Sequence, residues 1–458
     1  MAQYDFDLFV IGGGSGGVRA ARVSAGYGAR VALAEDDRLG GTCVNRGCIP
    51  KKLYVYAAHF PEEFRDAEAY GWSLGPPTFD WPTLVRNKEK EITRLNGIYA
   101  DLLVRSRVER VLGRAVLAGP HAVRVGGRTV SARYVLVGTG AKAARPPIQG
   151  AELGIVSDDA FDLPALPRRI VIQGGGYIAL EFAGIFNGLG AETTLVHRGD
   201  MVLRGFDDDV RRTVAAEVAK KGVRVRLGTT IEALERGGDG VRARTADGDW
   251  VEADQVMFAT GRAPNTGGLG LAENGVELDP KGAVVVDAYS RSSVGSVYAI
   301  GDVTDRLNLT PVAIHEGMCL ADTLFNDTPR RPDHRDVPTA VFSQPPIGVV
   351  GLSEAEARRL GGRIDVYRSR FRPLKHTLTG RDEETMMKIV VDAQSDQVLG
   401  CHMVGADAAE IIQGIAIAVK CRARKAQFDA TIGIHPTAAE EFVTMRQKAP
   451  QPLSEAAE

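Results

Sequence analysis

The chain has 458 residues, of which 44% are hydrophobic and 25% charged, and its formal net charge is −2. This length is too great for one hydrophobic core, so two to four domains are expected. The near-neutral charge gives no reason to expect a nucleic-acid or membrane-surface partner. Five cysteines are too few for a secreted disulfide framework. With no leader and no apolar span in the sequence, a cytoplasmic protein is predicted.

The N-terminal segment contains an apolar strand, a glycine-rich loop and an alanine-rich helical pattern. The strand covers residues 8–11, and three fingerprint glycines follow it: Gly12, Gly14 and Gly17. This order is the dinucleotide-binding fingerprint in its required context. A second strand, residues 29–34, leads to Glu35. Its spacing from the loop favours a hydrogen bond to a ribose hydroxyl over a solvated strand end.

Two cysteines five residues apart, Cys43 and Cys48, follow this first unit. On a regular helix such residues have Cα atoms roughly 8 to 9 Å apart, whereas a disulfide needs under about 7 Å. A bridge therefore requires a distorted helix, which Gly47 and Pro50 permit. We predict a redox-active disulfide, because a strained, accessible bridge is easily reduced. A zinc site is not expected, since no further ligands stand at suitable spacing, and packing roles are predicted for the other cysteines, Cys319, Cys401 and Cys421.

A second strand-loop-helix unit begins at residue 169. Its loop carries Gly174 and Gly176, and its last strand ends before His197. Where a site selective for NADH would carry an acid, this chain has Arg198, with Arg204 six residues further on. Arginine suits a 2′-phosphate, so NADPH is favoured as the nucleotide. A solvated surface pair of arginines is the alternative.

The segment after the second unit contains a strand that ends on Asp302 and a helical pattern that starts at Thr310. We predict that Thr310 caps this helix before Pro311, and that the positive end of the helix faces an electron-rich ring. Short strands at residues 135–140 and 256–261 are interpreted as domain crossings. Strands are then predicted at 339–342, 387–391 and 398–403, helices at 407–420 and 438–446, and a disordered tail at 447–458.

These elements predict an α/β protein with two Rossmann-like dinucleotide-binding domains and a C-terminal α+β dimerisation domain. The first domain is an FAD-binding domain that continues after the second unit, and the second binds NADPH. The predicted bounds are 1–142, 143–264, 265–335 and 336–458.

Two further groups of residues fit the chemistry of a dithiol. The Lys51 ammonium would favour a thiolate at Cys48, and Glu181, one helical turn after Tyr177, could pair with Lys51. His435 could act as the general acid for a leaving thiolate. Glu440 either orients His435 or merely caps a helix with Thr437, because the two are at capping-box spacing; both interpretations stay open.

The combined motifs resemble the pyridine nucleotide-disulfide oxidoreductase family, and within it the members that reduce glutathione disulfide with NADPH and FAD. The match covers nearly the whole chain. Three motifs carry it: Gly-Gly-Thr-Cys-x-Asn-x-Gly-Cys-x-Pro-Lys-Lys at 40–52, Gly-x-Gly-Tyr-Ile-Ala-x-Glu at 174–181 and His-Pro-Thr-x-x-Glu-Glu at 435–441. The resemblance implies a homodimer in which His435 and Glu440 act on the partner subunit.

The resemblance also implies finer roles. Cys43 would exchange with glutathione, Cys48 would contact the flavin, and Tyr177 would cover the nicotinamide pocket. Lys51 and Glu181 would pair near the flavin. The remaining cofactor contacts would come from Gly12, Gly14, Ser15, Gly17, Glu35, Thr42, Gly140, Asp302, Thr310, Gly174, Gly176, Ile178, Arg198, Arg204 and Arg262. Glutathione would contact Ser15, Arg22 and Tyr99.

Three positions depart from the family pattern. Arg19 replaces a small residue, Met318 stands where some members carry an arginine that binds glutathione, and residues 421–424 lack a glycine at the end of a helix. A reductase of another small disulfide and a dihydrolipoamide dehydrogenase-like enzyme are the alternatives. Pro-Lys-Lys after the second cysteine and Arg198 argue against the latter. A flavin-binding protein without catalysis is disfavoured, because every proposed catalytic position holds a competent residue.

Overall fold

The computed structural model describes residues 4–238 and 240–450. The strands within these residues are β1 (Phe6–Ile11), β2 (Val31–Glu35), β3 (Glu109–Leu112), β4 (Val116–Gly119), β5 (Ala122–Val125), β6 (Arg128–Val137), β7 (Ala141–Ala143), β8 (Ile155–Val156), β9 (Arg169–Gln173), β10 (Glu192–His197), β11 (Arg224–Leu227), β12 (Ile231–Gly237), β13 (Gly240–Thr245), β14 (Trp250–Ala253), β15 (Gln255–Phe258), β16 (Arg262–Pro264), β17 (Val297–Ala299), β18 (Thr339–Val341), β19 (Ile347–Gly351), β20 (Ile364–Phe371), β21 (Thr385–Asp392) and β22 (Val398–Val404).

The α-helices in the same part of the chain are α1 (Ser15–Gly26), α2 (Gly41–Arg46), α3 (Cys48–Ala69), α4 (Trp81–Arg105), α5 (Ser157–Ala160), α6 (Tyr177–Gly188), α7 (Asp208–Lys220), α8 (Thr310–Phe325), α9 (Glu354–Arg359), α10 (Leu374–Thr379), α11 (Ala408–Lys420), α12 (Lys425–Ala430) and α13 (Glu441–Thr444). Short 3₁₀ turns lie at Ala151–Leu153, Ala272–Asn274, Gly301–Thr304 and Ala438–Glu440. None of the helices at residues 4–238 or 240–450 combines the length and apolar character needed to cross a bilayer.

The first sheet has the strand order β3-β2-β1-β6-β5-β4, and β17 joins it by pairing with β6. Strand β1 is central and runs parallel to both β2 and β6. Its side chains from Leu8 to Val10 are fully buried, as expected for an apolar strand covered on both faces. The carboxyl ends of β1 and β2 therefore open onto the first glycine loop and Glu35.

The second sheet repeats this arrangement with the order β11-β10-β9-β15-β8, all parallel where the strands pair. A three-stranded antiparallel sheet, β12-β13-β14, lies beside it in the chain. Helix α6 is apolar on nearly every side and is buried from Ala179 to Phe186, because it packs against both its own sheet and helix α3.

The C-terminal sheet is antiparallel, with the order β18-β19-β22-β21-β20. Helix α11 packs on β19 and β22. Two nucleotide-type sheets, the first with a parallel centre and an antiparallel edge and the second parallel, are followed by this α+β unit and confirm the predicted fold class. The exact domain bounds stay a prediction.

The C-terminal region differs from the sequence prediction in several ways. Strands β19 and β20 and the short helices α9, α10 and α12 were not predicted. The helix predicted at 438–446 is present in a shorter form, because a 3₁₀ turn at Ala438–Glu440 runs directly into the four-residue helix α13, which ends at Thr444. Residues 447–450 are placed rather than disordered, because Ala449 N donates to Val366 O (2.7 Å) and the chain lies along β20. The rest of the predicted tail, 451–458, lies outside the described residues.

Candidate active site

The two cysteines of the 40–52 motif lie on either side of a broken helix. Helix α2 ends at Arg46, Gly47 links the two helices, and α3 begins at Cys48. A Cβ atom on Gly47 would lie 2.8 Å from the carbonyl oxygen of Thr42, so the tight link needs glycine. The predicted helix distortion is confirmed. It brings the side chains of Cys43 and Cys48 within hydrogen-bonding reach of each other.

Both cysteines are thiols in this structure, and their environments separate their pKa values. The hydrogen bond from the Cys43 thiol lowers the pKa of Cys48 to about 6; burial opposes this shift, while Thr310 and the charge of Lys51 add to it. The same hydrogen bond, together with burial, raises the pKa of Cys43. The pair therefore holds one proton near neutral pH, on Cys43, and its thiolate on Cys48.

Thr310 contributes directly to this pair. It was predicted to cap helix α8, but this is wrong: Thr310 is the first helical residue, and Leu309, at the cap position, makes no side-chain cap bond. The Thr310 hydroxyl lies instead 3.6 Å from Cys48 Sγ. Boundaries at helix ends are ambiguous by one or two residues in sequence, and here the contact with sulfur explains why the side chain does not cap.

A buried ion pair lies next to the thiols. Lys51 Nζ donates to Glu181 Oε1 at 2.7 Å, and the two side chains are 12% and 3% exposed. The same carboxylate oxygen accepts a hydrogen bond from the backbone N–H of Phe342 at 2.9 Å. The predicted pairing of Lys51 with Glu181 is therefore present, and it joins α3, α6 and the C-terminal part of the chain at one point.

A cavity of about 350 Å³ extends from the first glycine loop to Cys43. Its walls include nine residues predicted to hold a cofactor: Gly12, Gly14, Ser15, Gly17, Glu35, Thr42, Gly140, Asp302 and Thr310. A Cβ atom on Gly12 would lie 2.5 Å from Gly138 O, so the loop can approach the strand ends only as glycine. Three cationic residues that the sequence analysis did not name also line it: Arg46, Arg114 and Lys142.

The groups along this cavity fit a dinucleotide. Helix α1 begins at Ser15 with no side-chain cap, so its first N–H groups are available to a phosphate. Glu35 lies at one end, where its carboxylate accepts hydrogen bonds from Gly13 N at 2.7 Å and from the N–H groups of the next two residues. Asp302 also lines the cavity. Burial raises the pKa of the Glu35 carboxyl and of the Asp302 carboxyl. Carboxylates in these positions can accept hydrogen bonds from ribose or ribityl hydroxyls.

The second glycine loop opens at the start of α6. Gly174 has φ 152°, and a Cβ atom there would lie 2.3 Å from Ala259 O. Helix α6 begins at Tyr177, with Gly176 at its cap position and no capping side chain; Ile178, the next residue, is half-buried. This is again an uncapped helix N-terminus that can receive a phosphate.

Arg198 and Arg204 flank this second loop. Burial lowers the pKa of His197, and the charges of both arginines lower it further, so each of them lies near this imidazole. Both are exposed. Neither forms an ion pair with a carboxylate in the part of the chain that the structure describes. Two guanidinium groups near one imidazole, with no carboxylate partner among the described residues, are available to bind a doubly charged phosphate.

Tyr177 lies between the two predicted nucleotide sites. Its ring is 41% exposed, and burial of its hydroxyl raises the pKa of Tyr177 to about 12. Arg262, Asp302 and Cys48 all contribute to its electrostatic surroundings. Arg262 is held by Ala141 O at 2.5 Å. Tyr177 thus lies where the two predicted sites meet.

The three residues predicted to bind the substrate also come together near Cys43. Tyr99 shares a hydrogen bond with Ser15, and Arg22 and Arg19 both act on it electrostatically. Ser15 in turn hydrogen-bonds Cys43. Arg19, which the sequence marked only as a departure, therefore belongs to the same group of residues.

His435 and Glu440 form a pair of their own at the C-terminal end. His435 Nδ1 donates to Glu440, with distances of 3.1 and 3.3 Å to the two carboxylate oxygens. Thr437 does not form the capping box, because its hydroxyl donates to Ile434 O at 2.7 Å. Glu440 orienting His435 is therefore the interpretation that the structure favours.

His435 is separate from the cysteines within the described chain. Its side chain is 80% exposed, and the interactions of Cys43 and Cys48 do not include it. Ile432 and Ile434, just before it, are 92% and 77% exposed. The structure thus brings together every predicted catalytic residue except His435 and Glu440.

The other cysteines divide into two kinds. Cys319 and Cys401 are buried, at 1% and 0% exposure, in agreement with packing roles. Cys421 is exposed, so the packing role predicted for it is wrong: it lies just past the end of α11, where the helix no longer covers it.

Comparison with known proteins defines the class. The family model described as "Pyridine nucleotide-disulphide oxidoreductase" matches residues 6–317, and its dimerisation domain matches residues 337–446. The chain belongs to this family, which confirms the resemblance drawn from the motifs.

Individual relatives narrow the comparison. The chain is 55% identical to the glutathione reductase of Burkholderia cepacia, over 98% of this chain and 100% of that protein. It is 47% identical to the glutathione reductase of a Nostoc species, over 97% and 100%. Identity to the trypanothione reductase of Leishmania donovani is 39%, over 97% and 96%.

Proposed function

We propose that this chain is an NADPH-dependent, FAD-containing reductase of glutathione disulfide that works as a homodimer. The observation that carries the proposal is the hydrogen-bonded Cys43 and Cys48 pair beside the buried Lys51 and Glu181 ion pair. The relatives named glutathione reductase, which match over essentially the whole chain, support the same reaction and the same substrate.

The first cavity suits FAD. Glu35 and Asp302 would accept hydrogen bonds from its hydroxyl groups, and the N-terminus of α1 would hold its phosphates. Bound there, FAD supplies a carrier for the two electrons that pass from NADPH to the disulfide. Lys51, held by Glu181, would place a positive charge beside Cys48.

NADPH would bind at the second glycine loop. Arg198 and Arg204 would hold its 2′-phosphate, and Tyr177 would cover the nicotinamide pocket until the nucleotide enters. The support is that Arg198 and Arg204 both lie near His197 and that Tyr177 lies near Cys48.

The reduced cysteines would then act by thiol-disulfide exchange. Cys43 loses its proton to a base and attacks one sulfur of glutathione disulfide, forming a mixed disulfide and releasing one glutathione thiolate. That thiolate takes the proton back from the protonated base. The Cys48 thiolate next attacks Cys43 Sγ, which restores the Cys43 and Cys48 disulfide and releases the second glutathione as a thiolate. This thiolate takes its proton from solvent by way of the base, which accounts for the one proton consumed with each disulfide reduced.

His435 of a second copy would be the base and acid in these steps. Cys43 has a raised pKa, so it needs a base to become the nucleophile. In its own chain His435 is exposed and apart from the cysteines. Glu440 would keep the imidazole oriented.

The cationic groups beside Cys43 favour an anionic disulfide. Arg19 and Arg22 both act on Tyr99, and glutathione disulfide carries carboxylates that such residues bind. A cationic disulfide is disfavoured by the same charges, although one relative is named trypanothione reductase. Some family members bind glutathione through an arginine at the position of Met318. In this chain Arg19 would supply the positive charge that Met318 lacks.

The test is NADPH oxidation by the purified FAD-loaded protein with glutathione disulfide, beside lipoamide and trypanothione disulfide as acceptors and NADH as donor. Fast turnover is expected only with NADPH and glutathione disulfide. Cys43→Ser should keep bound FAD and lose turnover. Undiminished reduction of glutathione disulfide by that variant would contradict the proposal.

We also propose a cytoplasmic location, because NADPH and free thiols belong to a reducing compartment. Cell fractionation with an antibody against the chain would check this. Recovery of the protein from an oxidising compartment would contradict it.

A further inference from the structure

The C-terminal sheet contains a buried lysine surrounded by three carboxylates. Lys388 lies on β21, and its side chain is 2% exposed. Its Nζ atom lies 2.9 Å from Asp207 Oδ1, 2.8 Å from Asp209 Oδ2 and 2.7 Å from Glu354 Oε2. A buried ammonium is stable only when its charge is compensated in this way.

Two of these carboxylates, Asp207 and Asp209, belong to a different unit of the chain. They lie at the start of α7, in the unit that carries the second glycine loop. Asp207 is the cap residue of α7, and its Oδ1 also accepts a hydrogen bond from Asp209 N at 3.0 Å. Its Oδ2 accepts one from Glu354 N at 2.9 Å. Both oxygens of Asp207 are therefore bound by groups of the C-terminal region.

Asp207 ends the segment that carries the two unpaired arginines, residues 198–207. Within it, Val202 and Leu203 are buried at 0% and 1% exposure. Leu203 N donates to Gly175 O of the second glycine loop at 2.6 Å, and Arg211 Nε donates to Val202 O at 2.8 Å. Arg204 is exposed. It lies between Leu203, which is hydrogen-bonded to Gly175, and Asp207, which is paired with Lys388. The position of Arg204 therefore depends on both of these contacts.

We propose that Lys388 is a positioning residue for NADPH selectivity: through Asp207 it fixes the segment that presents Arg198 and Arg204 to the 2′-phosphate. This rests on the proposed function, which assigns these arginines to that phosphate. The dimerisation domain thereby contributes to nucleotide choice without touching the nucleotide. Removing the ammonium takes the cation away from Asp207, whereas Asp209 still pairs with Arg368 at 2.8 Å and Glu354 with Arg358 at 2.8 Å. The buried Asp207 carboxylate is then repelled by its two neighbours, and this repulsion displaces the start of α7.

A purely structural role for Lys388 would give a different result. Loss of domain packing would weaken binding of every adenine nucleotide alike. Displacement of Arg204 would weaken only ligands that carry the 2′-phosphate. The ratio of affinities for 2′,5′-ADP and 5′-AMP therefore separates the two, and it can be measured on the FAD-loaded protein by calorimetry without any turnover.

The variants are Lys388→Met and the milder Asp207→Asn, which keeps the size and the capping ability of the residue. The matched control is Lys425→Met, because Lys425 is equally buried (2%) but its ammonium donates to Met445 O and pairs with Asp429 inside the C-terminal region. The double variant Arg198→Leu with Arg204→Leu tests the phosphate site itself.

We expect Lys388→Met and Asp207→Asn to bind 2′,5′-ADP about tenfold more weakly, equivalent to about 1.4 kcal/mol, with 5′-AMP affinity unchanged and Lys425→Met like wild type. An unchanged ratio in both folded variants, while the double arginine variant loses its preference, would overturn the inference and leave the proposed function standing. An unchanged ratio in the double arginine variant would overturn the assignment of the phosphate site, and the inference with it. If Lys388→Met does not fold, the ratio of affinities measured for Asp207→Asn decides whether the inference stands.

Discussion

The redox helix and the C-terminal histidine segment are the two halves of the proposed mechanism, a thiol half and an acid-base half, and they differ in how completely one chain builds them. Cys43, Cys48 and Lys51 lie among partners from three parts of the fold, and Glu181 is 3% exposed. His435 is 80% exposed, and its hydrogen-bond partner is the nearby Glu440. One chain thus completes the thiol half and leaves the proposed acid-base half exposed.

The residues around His435 indicate that this segment is covered by a second copy of the chain. Ile432 and Ile434 are the most exposed large hydrophobic side chains among the described residues, at 92% and 77%. Covering each such side chain stabilises an interface by about 1.5–3 kcal/mol, and a second copy would do so as it brings His435 to Cys43. The family's dimerisation domain covers this segment.

The largest effect should come from breaking the acid-base half. His435→Gln should lower turnover with glutathione disulfide by about 10²–10⁴-fold, the usual contribution of a general acid-base group. Anaerobic NADPH should still reduce the two cysteines, as measured by thiol titration, because the reductive residues are untouched. Loss of cysteine reduction in this variant would contradict the separation of the two halves.

A smaller loss is expected when the imidazole is kept but its partner is changed. Glu440→Gln can still accept a hydrogen bond from His435 Nδ1 but lacks the charge, so turnover should fall about tenfold, the effect of weakening one charge-assisted hydrogen bond. Glu441→Gln is the matched control, since Glu441 does not contact His435. Equal activity of the two variants would remove Glu440 from the mechanism.

The thiol half should show its own pH dependence. The pKa of Cys48 is lowered to about 6, so its thiolate is present above this pH and becomes protonated as the pH falls through it. The thiolate ultraviolet absorbance of the dithiothreitol-reduced protein, with that of Cys48→Ser subtracted, should have its midpoint there when it is followed against pH. Cys43→Ala should move the midpoint upward, because the Cys43 hydrogen bond is the largest cause of the shift. An unmoved midpoint would assign the shift to Thr310 and Lys51 instead.

The smallest effect concerns stability near the C-terminal segment. Helix α11 is followed by Arg422 in the left-handed region, with φ 57°, where the sequence lacks the usual glycine. Arg422→Gly should raise the free energy of unfolding by about 0.5–1 kcal/mol, since this conformation costs a non-glycine residue about 1–2 kcal/mol and glycine loses part of that gain through entropy. Urea unfolding measures it. Arg424→Gly, where φ is −91°, should give no gain; equal stabilisation by both would refute the explanation.

The sequence predicted much of the thiol half because its signals are local. The glycine loops, the two cysteines and Gly47 each specify their own backbone, and all of them lie as the motifs indicate. The alternation of strands with glycine loops was enough to predict two nucleotide-type sheets. What motif spacing alone left open was the partner of Glu440, which the position of the Thr437 hydroxyl decides.

The remainder depends on contacts between distant parts of the chain. Strand β20 carries Arg368 and Arg370 and has no apolar alternation over its second half, yet it pairs along its whole length with β21. Lys388 lies inside a predicted apolar strand, and only the fold brings three carboxylates to it. No local sequence pattern indicates such a cluster, because Lys388 and its carboxylate partners come from three separate segments of the chain.

The most direct test of the account is a mixture of two inactive variants, Cys43→Ser and His435→Gln, unfolded together, refolded with FAD and assayed with NADPH and glutathione disulfide. If His435 acts on the other subunit, each hybrid dimer has one intact site, and random pairing should restore about a quarter of wild-type activity. Each variant refolded alone is the control. Activity no higher than that of the separate variants, with hybrid dimers shown to form, would contradict a site shared between two copies.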